Sequence, residues 1–134
     1  MKEVKLAVKD YTNVIRTPLR YVNTVEVDGV IIHEITGVGY PCANTINGHH
    51  FVCVDGYDGN GFVLGHEIGH VVNGDTTRSK KRRELSREVR ADVWSARHNG
   101  LTGVKAFTAI ASTVRGGEGL IRAIAVALLT LIGE

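Results

Sequence analysis

The periodicity of apolar positions changes near residue 60. Before that point, apolar residues come in short extended runs closed by turn pairs. Val25-Glu26-Val27 runs into Asp28-Gly29, and Val30-Ile31-Ile32 follows, which predicts a hairpin. Asn47-Gly48 lies between Thr45-Ile46 and the run His49–Val54, which predicts a second hairpin with a strand over about 49–54. Beyond Asn60 the apolar spacing becomes helical: Phe62, Val63, Ile68, Val71 and Val72 are spaced as on a helix, Asn60 suits the N-cap, and Asn73-Gly74 is a stop. A polar, basic connection follows from Asp75 to Arg83, within which a second helix starts and runs to about His98. Asn99-Gly100 ends it, Thr102 is expected to cap a third helix over about 103–114, and a glycine-rich loop, Arg115 to Gly119, leads to a fourth over about 120–132. Strands first and helices afterwards predict an α+β fold: a small N-terminal antiparallel sheet, then a first helix and three more.

A chain of 134 residues suits one domain, 1–134, and its 43% hydrophobic and 22% charged content is that of an ordinary globular protein. A net charge of +2 does not mark the whole chain as a polyanion binder. Its longest apolar stretch, Leu120 to Ile132, is interrupted by Arg122 and Thr130 and falls short of the ~20 residues of a membrane span. Apolar residues go nearly all round that segment, so burial in a core or a dimer is the expectation, with no membrane contact. The N-terminus carries no apolar stretch of secretory length, and a cytoplasmic location is expected. The basic run Arg78-Ser79-Lys80-Lys81-Arg82-Arg83 has no interleaved aromatic residue; it reads as a solvated loop and helix start rather than a nucleic-acid contact. Cys42 and Cys53 form no CxxC pair and read as free thiols, with a disulfide open to them if they face each other across a hairpin.

The chemistry lies in His66-Glu67-Ile68-Gly69-His70. Positions i and i+4 share a helical face, so two imidazoles can present nitrogens to one ion at ~2.0–2.1 Å. Glu67 is offset by about 100° and falls beside the metal, where it can take a proton from a water at the open position. Gly65 and Gly69 each cost a helix about 1 kcal/mol relative to Ala, which suggests that something approaches this helix closely. The pentapeptide alone arises by chance in roughly one or two per cent of shuffled chains. A catalytic zinc takes three protein ligands, so a third is the test. Glu84, Glu88 and Asp92 are four residues apart on the second helix, which also carries Leu85, Val89, Ala91, Val93, Trp94 and Ala96. Acids beside such a buried surface need partners, although Arg83, Arg87 and Arg90 also surround them.

His66-Glu67-x-x-His70 followed by Glu88-Val89-Arg90-Ala91-Asp92 resembles the gluzincin metallopeptidases, in which HExxH is followed by Glu-x-x-x-Asp on a later helix. The short connection, small size and preceding hairpin look most like the compact ImmA/IrrE-type peptidases. The resemblance covers roughly residues 49–100. It implies a minimal zincin-like domain holding one zinc ion through His66, His70 and Glu88, with Glu67 as general base and Asp92 hydrogen-bonded to a ligand histidine. It further implies a peptide or protein substrate, of regulatory, phage or repressor type, laid along an edge strand, for which His49–Val54 is the candidate. Tyr40, His50, Tyr57 and His98 are candidate donors to an oxyanion. The rival expectation is a zinc-binding regulatory or interaction protein without turnover.

Overall fold

Both turn pairs adopt the left-handed backbone that closes tight hairpins: Asp28 and Gly29 have φ of 50° and 79°, Asn47 and Gly48 of 52° and 79°. A computed structural model describes residues 2–77 and 84–132 of the chain. The hairpins they close are β1 (Arg20–Val27) with β2 (Val30–Thr36) and β3 (Cys42–Ile46) with β4 (His49–Cys53). The sheet order is β1-β2-β4-β3. Each hairpin is antiparallel, but β2 and β4 pair in parallel, Ile32 beside His50 and Ile35 beside Cys53. The sheet is therefore mixed rather than wholly antiparallel, because the chain crosses from the end of β2 to the far edge before turning back. β4 is consequently interior, and β3 takes the edge that the sequence reading gave to His49–Val54.

The helices are α1 (Lys2–Ile15), α2 (Gly61–Val72), α3 (Leu85–His98), α4 (Val104–Thr113) and α5 (Gly116–Ile132), with a short 3-10 turn at Asp75–Thr77. The α+β class holds, with one helix ahead of the sheet that the expectation of a β-rich start left out. Val8 and Tyr11 of α1 pack on Ile35, Phe51 and Cys53, while the opposite face of the sheet buries Ile32 and Val52 against Val71 of α2. A second core of Phe62, Ala96, Ala106, Ile110, Ala123 and Val126 binds α2 to α3, α4 and α5. Gly103, not Thr102, caps α4, and its backbone N–H donates to the buried Thr130 hydroxyl on α5. α5 starts at Gly116, inside the expected loop, and Gly119 lies so close to the Val114 carbonyl that a Cβ would have no room.

Cys42 and Cys53 face each other across β3 and β4 and are free thiols. Burial, with Cys53 beside it, pushes the Cys42 thiol up to about 12. Among the described residues, no helix is long and apolar enough to cross a membrane. The basic run Arg78–Arg83 lies outside the described residues.

Candidate metal centre

α2 begins where Asn60 accepts from the backbone N–H groups of Phe62 and Val63, the cap its sequence predicted. Its two internal glycines explain how α3 comes so close. A Cβ on Gly65 would stand 2.4 Å from Ser95 Oγ, and one on Gly69 would stand 3.1 Å from the Ala91 carbonyl. Ser95 Oγ closes the contact by donating to the Phe62 carbonyl at 2.6 Å. With the backbones this close, side chains on facing turns meet.

The result is convergence of His66, His70 and Glu88, whose ligand atoms lie within 4.8 Å of one another. His66 Nε2 is 3.1 Å from His70 Nε2 and 3.3 Å from Glu88 Oε1, and His70 Nε2 is 3.1 Å from Glu88 Oε2. A tetrahedral set at 2.0–2.1 Å from one zinc has edges of about 3.3 Å; the two Nε2 atoms stand at that spacing from each other, and each stands at it from one of the two Glu88 oxygens. Glu84 is not among them; it pairs with Arg87 on the same turn of chain.

The hydrogen bonds decide which nitrogens face inward. His66 Nδ1 lies 2.6 Å from Asp92 Oδ1, and His70 Nδ1 lies 2.9 Å from Asp75 Oδ2. A carboxylate only accepts, so both Nδ1 atoms carry hydrogen and both Nε2 lone pairs point at the shared centre. Two lone pairs and a carboxylate at 3.1–3.3 Å repel unless a cation or proton lies between them. The donor set therefore fits a divalent ion.

Protonation behaves accordingly. Burial works against a charged His66, but Asp92 and Glu88 outweigh it and push its pKa up to about 9. Burial likewise opposes charge on His70, yet Glu88 and Asp75 raise it. Burial would raise Glu88; the two histidines instead hold it well below the usual carboxylate range. Glu67 moves the other way: burial raises it, and the neighbouring histidines offset only part of that rise. A buried carboxyl of raised pKa is a better proton acceptor than an ordinary carboxylate.

Asp92 has no solvent exposure and also receives Arg122 from α5, Nε at 2.7 Å and Nη2 at 2.9 Å. Arg122 further approaches Glu88 at 3.9 Å and Glu118 at 3.4 Å. A pocket of about 230 Å³ opens on this group, lined among others by Pro41, His66, Glu67, Glu88, Val114 and Arg122. Tyr40, His50, Tyr57 and His98 do not line it. His50 is bonded to Thr45 Oγ1, and His98 stacks on Trp94 in a separate groove. The sequence reading thus missed Asp75 and Arg122. A charge inside the apolar run 120–132 was the available signal for Arg122, since a buried arginine needs a carboxylate. Compared with protein-family models, with curated proteins and with solved structures, the chain matches none.

Proposed function

We propose that the protein is a zinc-dependent peptidase of gluzincin type, with His66, His70 and Glu88 as ligands and Glu67 as general base. The observation that carries this reading is the convergence of two histidine Nε2 atoms and the Glu88 carboxylate, with contacts of 3.1–3.3 Å among them and with Glu67 beside them in an open pocket. Zinc, when bound there, supplies Lewis acidity toward a carbonyl and acidifies water. Glu67 takes the proton of the attacking water and returns it to the leaving amine, a task that its raised pKa favours. Asp92 and Asp75 hold the histidine rings in the ligating tautomer. Arg122, at the back of the pocket, pairs with Asp92 and fixes it in place. An extended peptide would add to the edge strand β3, whose neighbour in the fold is α2.

The experiment is metal analysis of the purified protein beside His66→Ala and Glu67→Gln, with turnover followed on a quenched-fluorescent unfolded protein. One equivalent of zinc in the wild type and in Glu67→Gln, none in His66→Ala, and turnover in the wild type alone are expected. Hydrolysis that survives in Glu67→Gln refutes the general-base role. Full zinc without turnover in the wild type points to a zinc-binding regulatory protein.

A further inference from the structure

α5 has two faces of opposite character. Arg122, Ala123, Val126 and Thr130 are buried, and Arg122 reaches the metal centre. On the other side Leu120, Ile121, Ile124, Leu128, Leu131 and Ile132 are each 47–79% exposed. Ile121, Ile124, Leu128 and Leu131 follow one another at steps of three, four and three, the spacing of a helix–helix seam. That face carries no charged residue. Together the six side chains expose on the order of 600 Å² of apolar surface, the upper end of what a monomer leaves bare.

We infer that this face of α5 is the interface of a homodimer related by a two-fold axis. Two copies would bury roughly 1,200 Å² in all, the threshold of a specific, stable interface. A surface without charge of either sign meets its own copy with no repulsion, which is what a self-complementary two-fold contact requires. α5 is already folded against α4 and α3, so association does not have to form the helix as well. A lipid surface fits less well. Interfacial helices carry Lys and Arg along their polar flank, and the one cation of α5, Arg122, is turned inward onto Asp92. Because the seam lies opposite the Arg122 face, the dimer leaves the metal centre's pocket uncovered by α5 of the partner.

Sedimentation equilibrium of the full chain tests this, with Leu128→Glu and the milder Ile121→Gln as variants. The wild type is expected to sediment at twice the 14.5 kDa chain mass at tens of micromolar. Leu128→Glu, which brings two carboxylates into the seam, weakens association by roughly 100-fold or more. Ile121→Gln weakens it less, and both keep the wild-type far-UV circular dichroism, since these positions are exposed. A wild type that stays monomeric at 100 µM overturns the proposal, as does a Leu128→Glu variant that remains dimeric. A monomer that co-sediments with phosphatidylcholine vesicles overturns it in favour of a lipid surface. Zinc content does not enter the readout, so the result is independent of the peptidase reading.

Discussion

Replacing Arg122 by Met tests the buried network behind the candidate metal centre. Asp92 is fully buried, Arg122 is 5% exposed, and the guanidinium grips both carboxylate oxygens at 2.7 and 2.9 Å. Methionine fills much of the volume but leaves Asp92 buried with His66 as its remaining charged partner. Breaking a buried pair from one side costs about 3–5 kcal/mol, against well under 1 kcal/mol for an exposed pair. His66 keeps its proton up to about pH 9 in the metal-free protein, so at pH 7 Asp92 retains one cation and the lower half of that range applies. For a chain of this size about 3 kcal/mol lowers Tm by roughly 10 °C. Urea and thermal unfolding of the metal-free protein at pH 7 measure this directly. Arg122→Lys keeps the charge but not the two-pronged geometry and falls between wild type and Arg122→Met. A loss below 1 kcal/mol for Arg122→Met would show that solvent reaches the pair, and the account of how α5 braces the site would fail.

Proton and metal compete for the same nitrogens, which fixes the sign of two pH effects. Zinc must displace the proton that His66 holds up to about pH 9, so apparent affinity rises by at least about tenfold per pH unit between pH 6.5 and 9, more steeply where His70 is protonated too; calorimetric titration in two buffers should also register proton release, and a flat affinity refutes it. In the metal-free protein the raised His66 pKa contributes stability that is complete below pH 6.5 and is lost as pH passes through 9, so Tm falls across that interval. Gly65→Ala should destabilise by about 1–2 kcal/mol, because the Cβ meets Ser95 Oγ at 2.4 Å and overpacking outweighs the ~1 kcal/mol gain in helix propensity. A higher Tm in that variant would show that α3 can retreat.

What could be read from the sequence was what the chain encodes locally. The hairpin turns, the Asn60 cap and the i, i+4 histidines each depend on residues a few positions apart, and all appear where expected. Glu88 met them because the glycines that hinted at a close approach do face α3. Non-local pairing was hidden. No pattern within β2 or β4 states that they run parallel, so the strand assigned to the edge turned out interior. α1 was legible but unread: Val8, Tyr11 and Ile15 recur at helical spacing, and they pack on the sheet. Asp75 sat in a segment whose basic composition reads as a linker, and only the turn after Gly74 swings it back onto His70.

Asp75 and Arg122, the parts missed from sequence, complete the aiming of the histidines that the expected Asp92 begins. Each inward-facing imidazole is held by a carboxylate from a different place: Asp92 on α3 for His66, and Asp75 just past the end of α2 for His70. Asp92 is in turn held by Arg122 from a third helix. The ligand atoms therefore stand at metal spacing before any ion arrives, and the repulsion among them is relieved meanwhile by protons on the imidazoles, which explains the raised His66 and His70 pKa values and the depressed Glu88. A site assembled this way would not need to fold around an ion. On the proposed reading it would exchange a proton for an ion, and Glu67, whose pKa burial raises on balance, would stand beside it to handle the protons of a reaction.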